Sequence, residues 1–307
     1  MAELIMADET FDVARLEGAV CAFGVFDGVH RAHRFLIGQA VAQARELEKH
    51  AVALTFDIDP DEVFHADRLR KLMTNDDRLR ALADTGVDAV VAFPFTEAFA
   101  GQPPADFMQR AFGAHVPRAL HVGHGLRFGA RASGTVADLE RWGAVHGMEV
   151  HAHTLVQAEG SPISATRIRL LLQEGKVSEA RDLLGRPYRI VGRVVPGRGE
   201  GAQMGFSTAN LSVPPACLAL GEGVYAGYAR IDGETYRAAV SVGVSPVFSG
   251  RTDAVCEAHL LDFQGTLYGA ALSIDVTHFL RPMIKFDTVD ELIRTVLANI
   301  AWVRQHL

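Results

Sequence analysis

The 307-residue sequence predicts an α/β domain with a doubly wound parallel sheet, followed by an antiparallel β-barrel and a C-terminal helix. Two observations lead to this prediction. The first half of the chain alternates continuous apolar runs with segments of helical periodicity, and the second half consists of short strands separated by turn residues. Because the pattern changes near residue 186, we assign residues 1–185 to the first domain and residues 186–307 to the second.

The predicted sheet of the first domain rests on four apolar runs. Each is apolar throughout rather than alternating, which is typical of parallel strands that helices cover on both faces. Alternation of such strands with helices is typical of a doubly wound sheet. The runs are AVCAF (19–23), AVALTF (51–56), VDAVVAF (87–93) and RALHVG (118–123).

Helices in this half are indicated by apolar spacing and by end signals. One helix, over residues 75–86, begins with Thr74 or Asn75 as its N-cap and stops at Gly86. Two short helices over 166–175 and 177–185 each close with a glycine. The first helix lies between the first two strands, and its i, i+3, i+4, i+7 stripe consists of Ile37, Ala40, Val41, Ala44 and Leu47.

The second half reads as strands without intervening helices, which predicts an antiparallel barrel. The chain then ends in an amphipathic helix that begins at a capping box formed by Thr288 and Glu291. The strand segments are YRIVGRVV (188–195), GVYAGYARI (223–231), TYRAAVSVG (235–243), VCEAHLLDF (255–263) and ALSIDVTHF (271–279).

Composition excludes several classes of function. With 30 Lys and Arg against 37 Asp and Glu, the net charge is −7, which argues against nucleic acid or an anionic membrane as the main partner. Three widely spaced cysteines without a Cys-x-x-Cys pair argue against structural zinc and fit a reducing compartment. The N-terminal segment does not resemble a signal peptide, and no apolar run approaches the roughly 20 residues of a membrane span. We therefore expect a cytoplasmic protein of undetermined oligomeric state.

A candidate phosphate site follows the first strand, in the segment FGVFDGVHRAH (23–33). Gly24, Asp27 and Gly28 lie in a turn where glycine allows close backbone approach. His30 and His33 share one face of the first helical turn, where free N–H groups and the helix dipole attract anions. The same residues also fit a capped turn with two solvated histidines. A metal site is less consistent with the sequence, since no third ligand is evident nearby.

A second candidate anion site begins the helix at 166–175. Ser164, Thr166, Arg167 and Arg169 combine hydroxyls, helix amides and guanidinium groups, which together suit a phosphate chain. The alternative is structural: Ser164 caps the helix and both arginines are solvated.

The barrel carries a third candidate site. Small polar residues in the glycine-rich segment before and around Thr208 and Asn210 suit Mg²⁺ and phosphate oxygens, although a plain surface loop has the same composition. Glu257 lies on an otherwise apolar strand, with His259 two residues further on the same face. A carboxylate in that position is either a general base near a substrate hydroxyl or a solvated group.

These segments resemble one known family. FGVFDGVHRAH is similar to its Gly-x-Phe-Asp-Gly-Val-His-x-Gly-His motif, ISATRIR (163–169) to its Ile-Ser-Ser-Thr-Arg-Ile-Arg, and GFSTAN (205–210) to its Gly-Phe-Pro-Thr-Ala-Asn. The later blocks GVYAGYA, EAHLLDFQGTLYG and FLRPMIKFDTVDEL follow the family order. The family is that of the prokaryotic bifunctional riboflavin kinase/FMN adenylyltransferases, and the resemblance runs from about residue 19 to residue 307.

The resemblance implies a Rossmann-like nucleotidyltransferase domain and a six-stranded riboflavin kinase barrel with a terminal helix. In the first, His30 and His33 contact the ATP phosphates and stabilise the transition state. The implied ligands of the triphosphate and its surroundings are Gly24, Asp27, Gly28, Ser164, Thr166, Arg167 and Arg169.

For the barrel, the resemblance implies that Thr208 and Asn210 bind MgATP beside Gly205. Glu257 is the base that activates the riboflavin 5′-hydroxyl, and Arg281 helps to enclose the flavin. The implied small molecules are riboflavin, FMN and ATP, with Mg²⁺ serving both steps.

The sequence departs from the family mainly in the first domain. Ala32 stands for the Gly between the histidines, Gly125 for an acidic or amide residue, and Ala165 for the second Ser of the phosphate motif. Asp59 occupies the place of a family histidine, and in the barrel Ser207 replaces a Pro. A bifunctional enzyme is the leading hypothesis. A riboflavin kinase without adenylyltransferase activity and a non-catalytic flavin- or nucleotide-binding protein are the alternatives.

Overall fold

A computed structural model describes residues 2–7, 16–65, 70–113, 115–197, 206–243 and 255–307. The chain divides into two compact units. The first comprises Met1–Leu69 and Thr74–Ala165, and the second comprises Arg70–Met73 and Thr166–Leu307.

The first unit alternates strands and helices along the chain, as the sequence predicts. Its elements are β1 (Glu3–Met6), β2 (Val20–Phe23), α1 (Arg31–Glu46), β3 (Ala51–Phe56), α2 (Pro60–Phe64), α3 (Asn75–Ala83), β4 (Ala89–Phe93), α4 (Glu97–Ala100), α5 (Pro104–Phe112), β5 (Ala119–Gly123), α6 (Val136–His146), β6 (Glu149–His153), β7 (Gln157–Ala158) and β8 (Ser161–Pro162).

Six strands form one parallel sheet in the order β1-β4-β3-β2-β5-β6, which confirms the doubly wound prediction. The chain order reverses between β2 and β5. The central strands β2 and β3 are buried along their whole length, which explains their continuous apolar sequence. The sequence analysis missed β1 and β6 because both are edge strands with exposed or polar residues.

The predicted N-cap of the helix at 75–86 is confirmed, but its predicted end at Gly86 is wrong, because α3 ends at Ala83 with Asp84 as its C-cap. Thr74 caps α3 by accepting a hydrogen bond from the Asp77 backbone N–H at 3.1 Å. The stripe of α1 packs onto the sheet through buried Ile37 and Ala40, whereas Leu47 lies beyond the end of the helix and is 38% exposed. Helix α1 begins at Arg31, in the connection that leaves the carboxyl end of β2.

The second unit contains two helices, six strands and a terminal helix. They are α7 (Ala165–Gln173), α8 (Val177–Leu184), β9 (Tyr188–Val195), β10 (Ala209–Ser212), β11 (Gly223–Ile231), β12 (Glu234–Gly243), β13 (Val255–Leu260), β14 (Ala271–Arg281) and α9 (Val289–His306). All neighbouring strands are antiparallel, and they close a barrel in the order β10-β13-β12-β11-β14-β9. The six-stranded barrel is therefore confirmed.

Two local expectations about the barrel need correction. Asn210 belongs to strand β10 and not to a loop, because its short segment pairs on both sides, with β9 and β13. The capping box of α9 is only half formed. Thr288 accepts from the Glu291 N–H at 3.2 Å, but the Glu291 carboxylate accepts from Asp287 instead of Thr288.

The terminal helix α9 packs on the outside of the barrel. Ile300 and Val303 are buried against Phe206, Ala226 and Leu261. Ile293 and Val296 are partly buried against the same cluster, whereas Val289 and Leu297 are at least half exposed.

The sequence-based limit at 185/186 differs from the division of the two units. α8 packs against β9 and β14, so both short helices belong with the barrel by their contacts. The segment Arg70–Met73 also belongs there, because Lys71 pairs with Cys217. The assignment of residues 1–185 and 186–307 to two functional domains stays a prediction.

Candidate active sites

The loop after β2 lies where the order of the sheet reverses, the usual place for ligands in open α/β sheets. Its backbone is strained: φ is 60° at Phe26, 76° at Gly28 and 39° at Val29. A positive φ is costly for a β-branched residue, and such conformations concentrate at functional sites. The backbone therefore supports a site here independently of the histidines.

The structure brings the two predicted histidines together at the start of α1. His30 is the N-cap, and its Nδ1 atom accepts a hydrogen bond from the His33 backbone N–H at 3.4 Å. The two imidazole rings stack with their centroids 3.6 Å apart. The Nδ1 atom of His33 is buried and has no hydrogen-bond partner within the described residues. An unsatisfied buried nitrogen of this kind fits a site that takes a polar ligand.

Both imidazoles are suited to donate a hydrogen bond, and His33 can do so while uncharged. Burial lowers the pKa of His33 well below its usual value of 6.5, and the neighbouring His30 lowers it further. His33 is therefore neutral near pH 7 and retains one N–H. Because Nδ1 of His30 accepts a backbone hydrogen bond, the proton that the His30 ring can donate lies on Nε2. Two N–H donors beside a helix N-terminus suit an anion.

The other predicted loop residues surround this pair. A Cβ atom on Gly24 would lie 3.0 Å from the ring of Phe26, so a side chain there would crowd the turn. Asp27 is buried, with 6% of its surface exposed. Ala32, which stands between the histidines, is half-buried. Gly24 thus leaves no room for a side chain beside Phe26.

Two departures from the family motif have clear local environments. Asp59 is the N-cap of α2 and accepts a hydrogen bond from the Asp61 N–H at 3.0 Å, while its own N–H donates to Glu62 at 3.0 Å. Gly125 is surrounded by open space, since no heavy atom lies within 4 Å of an added Cβ. The first departure has a structural role, and the second leaves room for a larger side chain.

The predicted anion-binding residues of the second motif lie at the start of α7. Ser164 belongs to the first unit and directly precedes α7. Thr166, Arg167 and Arg169 lie on α7 and belong to the second unit. The Nε atom of Arg169 donates to the Arg70 carbonyl at 2.7 Å. This contact gives Arg169 a structural partner, and its assignment to a phosphate stays a prediction.

In the barrel, strand register brings the predicted metal ligand and base together. Asn210 on β10 lies directly opposite Glu257 on β13, and Glu257 lies opposite Ser241 on β12. Directly opposed residues point to the same side of a sheet. The flanking residues Cys256 and Ala258 are buried inside the barrel, so Asn210 and Glu257 share its outer face.

The segment that carries Thr208 is held beside this pair. Nδ1–H of His259 donates to the Ser207 carbonyl at 2.8 Å, next to Thr208. On the other side of Asn210, a Cβ atom on Gly197 would collide with the Asn210 amide. The bare backbone at Gly197 therefore leaves the space that the amide occupies.

The donor set here fits Mg²⁺ better than a softer metal. A hydroxyl, an amide oxygen and a carboxylate are hard oxygen ligands, and Mg²⁺ usually takes few protein ligands and completes its shell with phosphate and water. Throughout the described residues, no group of three or more His, Cys, Asp or Glu side chains could hold a metal ion alone. Thr208 and Asn210 would therefore hold Mg²⁺ only together with a nucleotide.

Arg281 lies at the end of β14, and Gly205 lies outside the described residues. The Arg281 guanidinium donates to the Pro282 carbonyl at 3.0 Å and lies 5.8 Å from the centre of the Phe286 ring. Its Nε atom is buried without a hydrogen-bond partner in the described structure, and burial lowers its pKa. A buried, unsatisfied donor is consistent with a polar ligand at this position.

Sequence reasoning missed two buried polar groups of the first unit. Arg78 on α3 is 2% exposed, and its guanidinium donates to Thr55 and to backbone carbonyls near the phosphate loop. His121 on β5 contacts His153 at 2.8 Å and donates to Gln43 at 2.6 Å. A histidine inside the apolar run RALHVG was the available signal for His121, whereas Arg78 resembled an ordinary solvated helix residue.

Two family models match this chain in succession. The model of FAD synthetase matches residues 12–167, and that of riboflavin kinase matches residues 184–307. A crystal structure described as a macrolide-efflux protein from Streptococcus pneumoniae is 30% identical, with a TM-score of 0.86 and 98% of both chains covered. It shares the fold over the whole chain. In the described part of this chain, no helix is long and apolar enough to cross a membrane.

Curated relatives described as bifunctional riboflavin kinase/FMN adenylyltransferase cover nearly the whole chain. The protein of Listeria monocytogenes is 34% identical over 94% of this chain and 91% of its own length. Those of Pseudomonas fluorescens and Escherichia coli K12 are 31% and 32% identical over 94% of this chain, and 92% and 93% of their own lengths are covered. This chain belongs to the bifunctional riboflavin kinase/FMN adenylyltransferase family.

Proposed function

We propose that this chain makes FAD in two ATP-dependent steps. Its barrel phosphorylates riboflavin to FMN, and its α/β domain transfers AMP from ATP to FMN and releases pyrophosphate. The observation that carries the proposal is the succession of the two family matches, 12–167 and 184–307, in one chain that also retains both histidines and the Asn210–Glu257 pair.

In the adenylyl transfer, an oxygen of the FMN phosphate attacks the α-phosphorus of ATP, and the bond to the β-phosphate oxygen breaks. Negative charge accumulates on the departing pyrophosphate. We assign its stabilisation to the N–H groups of His30 and His33 and to the N-terminus of α1. Because both rings are held by stacking and by the cap, they need little reorganisation during the reaction.

Thr166, Arg167 and Arg169 are proposed to bind the remaining phosphate oxygens, with Ser164 preceding them. Gly24, Asp27 and Gly28 are assigned to the nucleotide loop itself. Charge-assisted hydrogen bonds from arginine are stronger than neutral ones, so these residues would contribute most to the affinity for ATP.

In the kinase step, the riboflavin 5′-oxygen attacks the γ-phosphorus and ADP leaves. Glu257 takes the hydroxyl proton, as a carboxylate positioned beside the nucleophile can do. Thr208 and Asn210 would hold Mg²⁺, which would supply positive charge beside the phosphates. Arg281 is assigned to the flavin.

A cytoplasmic location is part of the proposal. It is supported by the sparse, widely spaced cysteines, of which Cys21 and Cys256 are buried free thiols, a pattern that fits a reducing compartment. Cell fractionation with an antibody against the chain tests it.

Product analysis tests the function directly. The full-length protein is incubated with riboflavin, ATP and Mg²⁺, and flavins are separated by chromatography over time. We expect FMN to appear first and FAD to follow. A second reaction starting from FMN isolates the adenylyl step.

The alternatives predict different products. FMN without FAD, in both reactions, would identify a kinase whose first domain is inactive. Tight flavin binding without turnover would identify a non-catalytic binding protein. Either result would overturn the bifunctional proposal.

A further inference from the structure

Arg78 is the largest fully buried side chain of the described structure, although arginine is rarely buried. One arm of its fork, NH1, donates to the Val25 carbonyl at 2.9 Å and to the Thr55 hydroxyl at 2.7 Å. The other arm, NH2, donates to the carbonyls of Phe56 at 2.7 Å and Asp57 at 3.2 Å. The guanidinium therefore ties the loop after β2 to the end of β3.

The tie acts next to the strained turn. Val25 directly precedes Phe26, the first residue of the turn with a positive φ. The Thr55 hydroxyl also donates to the Val25 carbonyl, at 3.3 Å. Two donors from outside the loop thus converge on one carbonyl, and they hold a backbone conformation that costs free energy by itself.

The charge of Arg78 is balanced by its surroundings. Burial lowers its pKa, but four carboxylates favour the protonated form, namely Asp59, Asp27, Glu62 and Asp57. The guanidinium stays charged because its ordinary pKa is far above neutrality. A plain counter-ion would not need the planar fork that reaches Val25, Thr55 and Phe56 together.

We propose that Arg78 is a positioning residue for adenylyl transfer: it fixes the strained loop so that the His30 and His33 rings meet the phosphates of ATP. This inference rests on the proposed adenylyltransferase function of the first unit. It assigns no contact between Arg78 and a substrate.

The test compares variants of the full chain. Arg78→Lys keeps the positive charge but cannot reproduce the two donor arms of the guanidinium. Arg78→Met removes the charge and the donors. Thr55→Val removes the second donor to Val25. Arg80→Gln is the matched control, because Arg80 lies on the same helix, is exposed and contacts only Asp77 among the interactions described. Each protein is assayed for FAD formation from FMN, for riboflavin phosphorylation and for thermal unfolding.

We expect Arg78→Lys to stay folded but to unfold at a lower temperature than wild type, because a lysine cannot satisfy all four acceptors. It should lose between about 10- and 100-fold in kcat for FAD formation, as a small misplacement of reacting groups does. Its KM for ATP should change less than threefold, and its kinase activity should match wild type. Thr55→Val should lower kcat in the same direction, and Arg80→Gln should change nothing.

Other outcomes identify what failed. If Arg78→Lys forms FAD at the wild-type rate, Arg78 serves only charge balance and the inference is wrong. If kinase activity falls in parallel, the effect is general unfolding, and the inference is equally wrong. If Arg78→Met does not fold, Arg78→Lys and Thr55→Val decide. If the wild-type protein makes no FAD from FMN while still phosphorylating riboflavin, the adenylyl half of the proposed function fails first.

Discussion

The two candidate sites of this chain are built by different means. In the α/β unit, His30 and His33 stand on a turn with three positive φ values, and external donors hold that turn. In the barrel, Asn210 and Glu257 face each other because antiparallel register requires it. A site built on a strained loop depends on buried supports at a distance, whereas a site built on register needs only its own strands. Substitutions should therefore separate the two activities.

The largest separation is expected from Glu257→Gln, which removes the proposed base and keeps its shape. Riboflavin phosphorylation should fall by about 10²- to 10⁴-fold, the usual contribution of a general base. FAD formation from supplied FMN should not change. Glu234→Gln on the exposed end of β12 is the control. Retention of more than a tenth of the kinase rate would remove Glu257 from its assigned role.

The converse separation comes from His30→Asn. Asparagine keeps an N-cap acceptor for the His33 N–H, so α1 should stay intact, but the imidazole donor is lost. FAD formation should fall by about 10²- to 10³-fold, as when one preorganised donor is removed, and kinase activity should persist. An unchanged rate of FAD formation, measured by flavin chromatography, would assign the phosphates elsewhere.

A smaller effect is expected from Gly197→Ala. The added methyl group would displace the Asn210 amide, because the two would collide. The KM for MgATP in the kinase reaction should rise about tenfold, equivalent to about 1.4 kcal/mol of lost binding. FAD formation from FMN serves as the internal control. A normal KM would show that Asn210 does not contribute to MgATP binding.

Stability of the α/β unit should depend on pH through His121. Burial lowers its pKa to about 4, with smaller effects of His151 and His153. His121 therefore stays neutral in the folded protein, whereas in the unfolded chain it takes up a proton near pH 6.5. The free energy of unfolding should fall as the pH drops from about 6.5 toward 4 and should not change above that window. The loss should be about 3 kcal/mol.

Urea unfolding at several pH values measures how the free energy of unfolding depends on pH. The unfolding transition of the α/β unit is identified as the one in which FAD formation is lost. His121→Gln should flatten the slope. His50→Gln should not, because the His50 side chain is 85% exposed. An unchanged slope in His121→Gln would mean that other groups control the acid sensitivity.

The smallest effect is expected from Gly125→Asn, which restores an amide at a position where the family has one. Open space around Gly125 predicts that unfolding temperature stays within a degree or two of wild type, since surface substitutions usually change stability by less than about 0.5 kcal/mol. A clear destabilisation, seen by calorimetry, would show that the motif has drifted because its backbone changed.

The sequence was sufficient for the fold class of both units and for the central strands of the parallel sheet. Apolar runs predicted β2, β3, β4 and β5 because buried central strands cannot carry many polar groups. Edge strands β1 and β6 escaped for the converse reason. β10 escaped because it has only four residues and follows a glycine-rich segment, so its strand character depends on partners far away in sequence.

The supports of the sites were harder to predict than the sites. Arg78 appears in a polar helical segment, and nothing in its spacing distinguishes it from Arg80, which is exposed. What buries Arg78 is the convergence of carbonyls from the loop after β2 and from the end of β3, which is a property of the folded sheet. Resemblance to a family predicted the motif residues, whereas the contacts that hold them became visible only in three dimensions.

The short segment Arg70–Met73 limits how the two activities can be studied apart. Its Lys71 N–H donates to the Ala216 carbonyl at 2.7 Å, the Leu218 N–H donates back to Lys71 at 2.8 Å, and Leu72 is buried. A C-terminal fragment that begins at Thr166 would lack the segment Arg70–Met73. The backbone groups of Ala216 and Leu218 would lose their partners, and the apolar contacts of Leu72 would be lost. Dissection of the enzyme by truncation should therefore yield a weakened barrel, and point substitutions offer the cleaner separation.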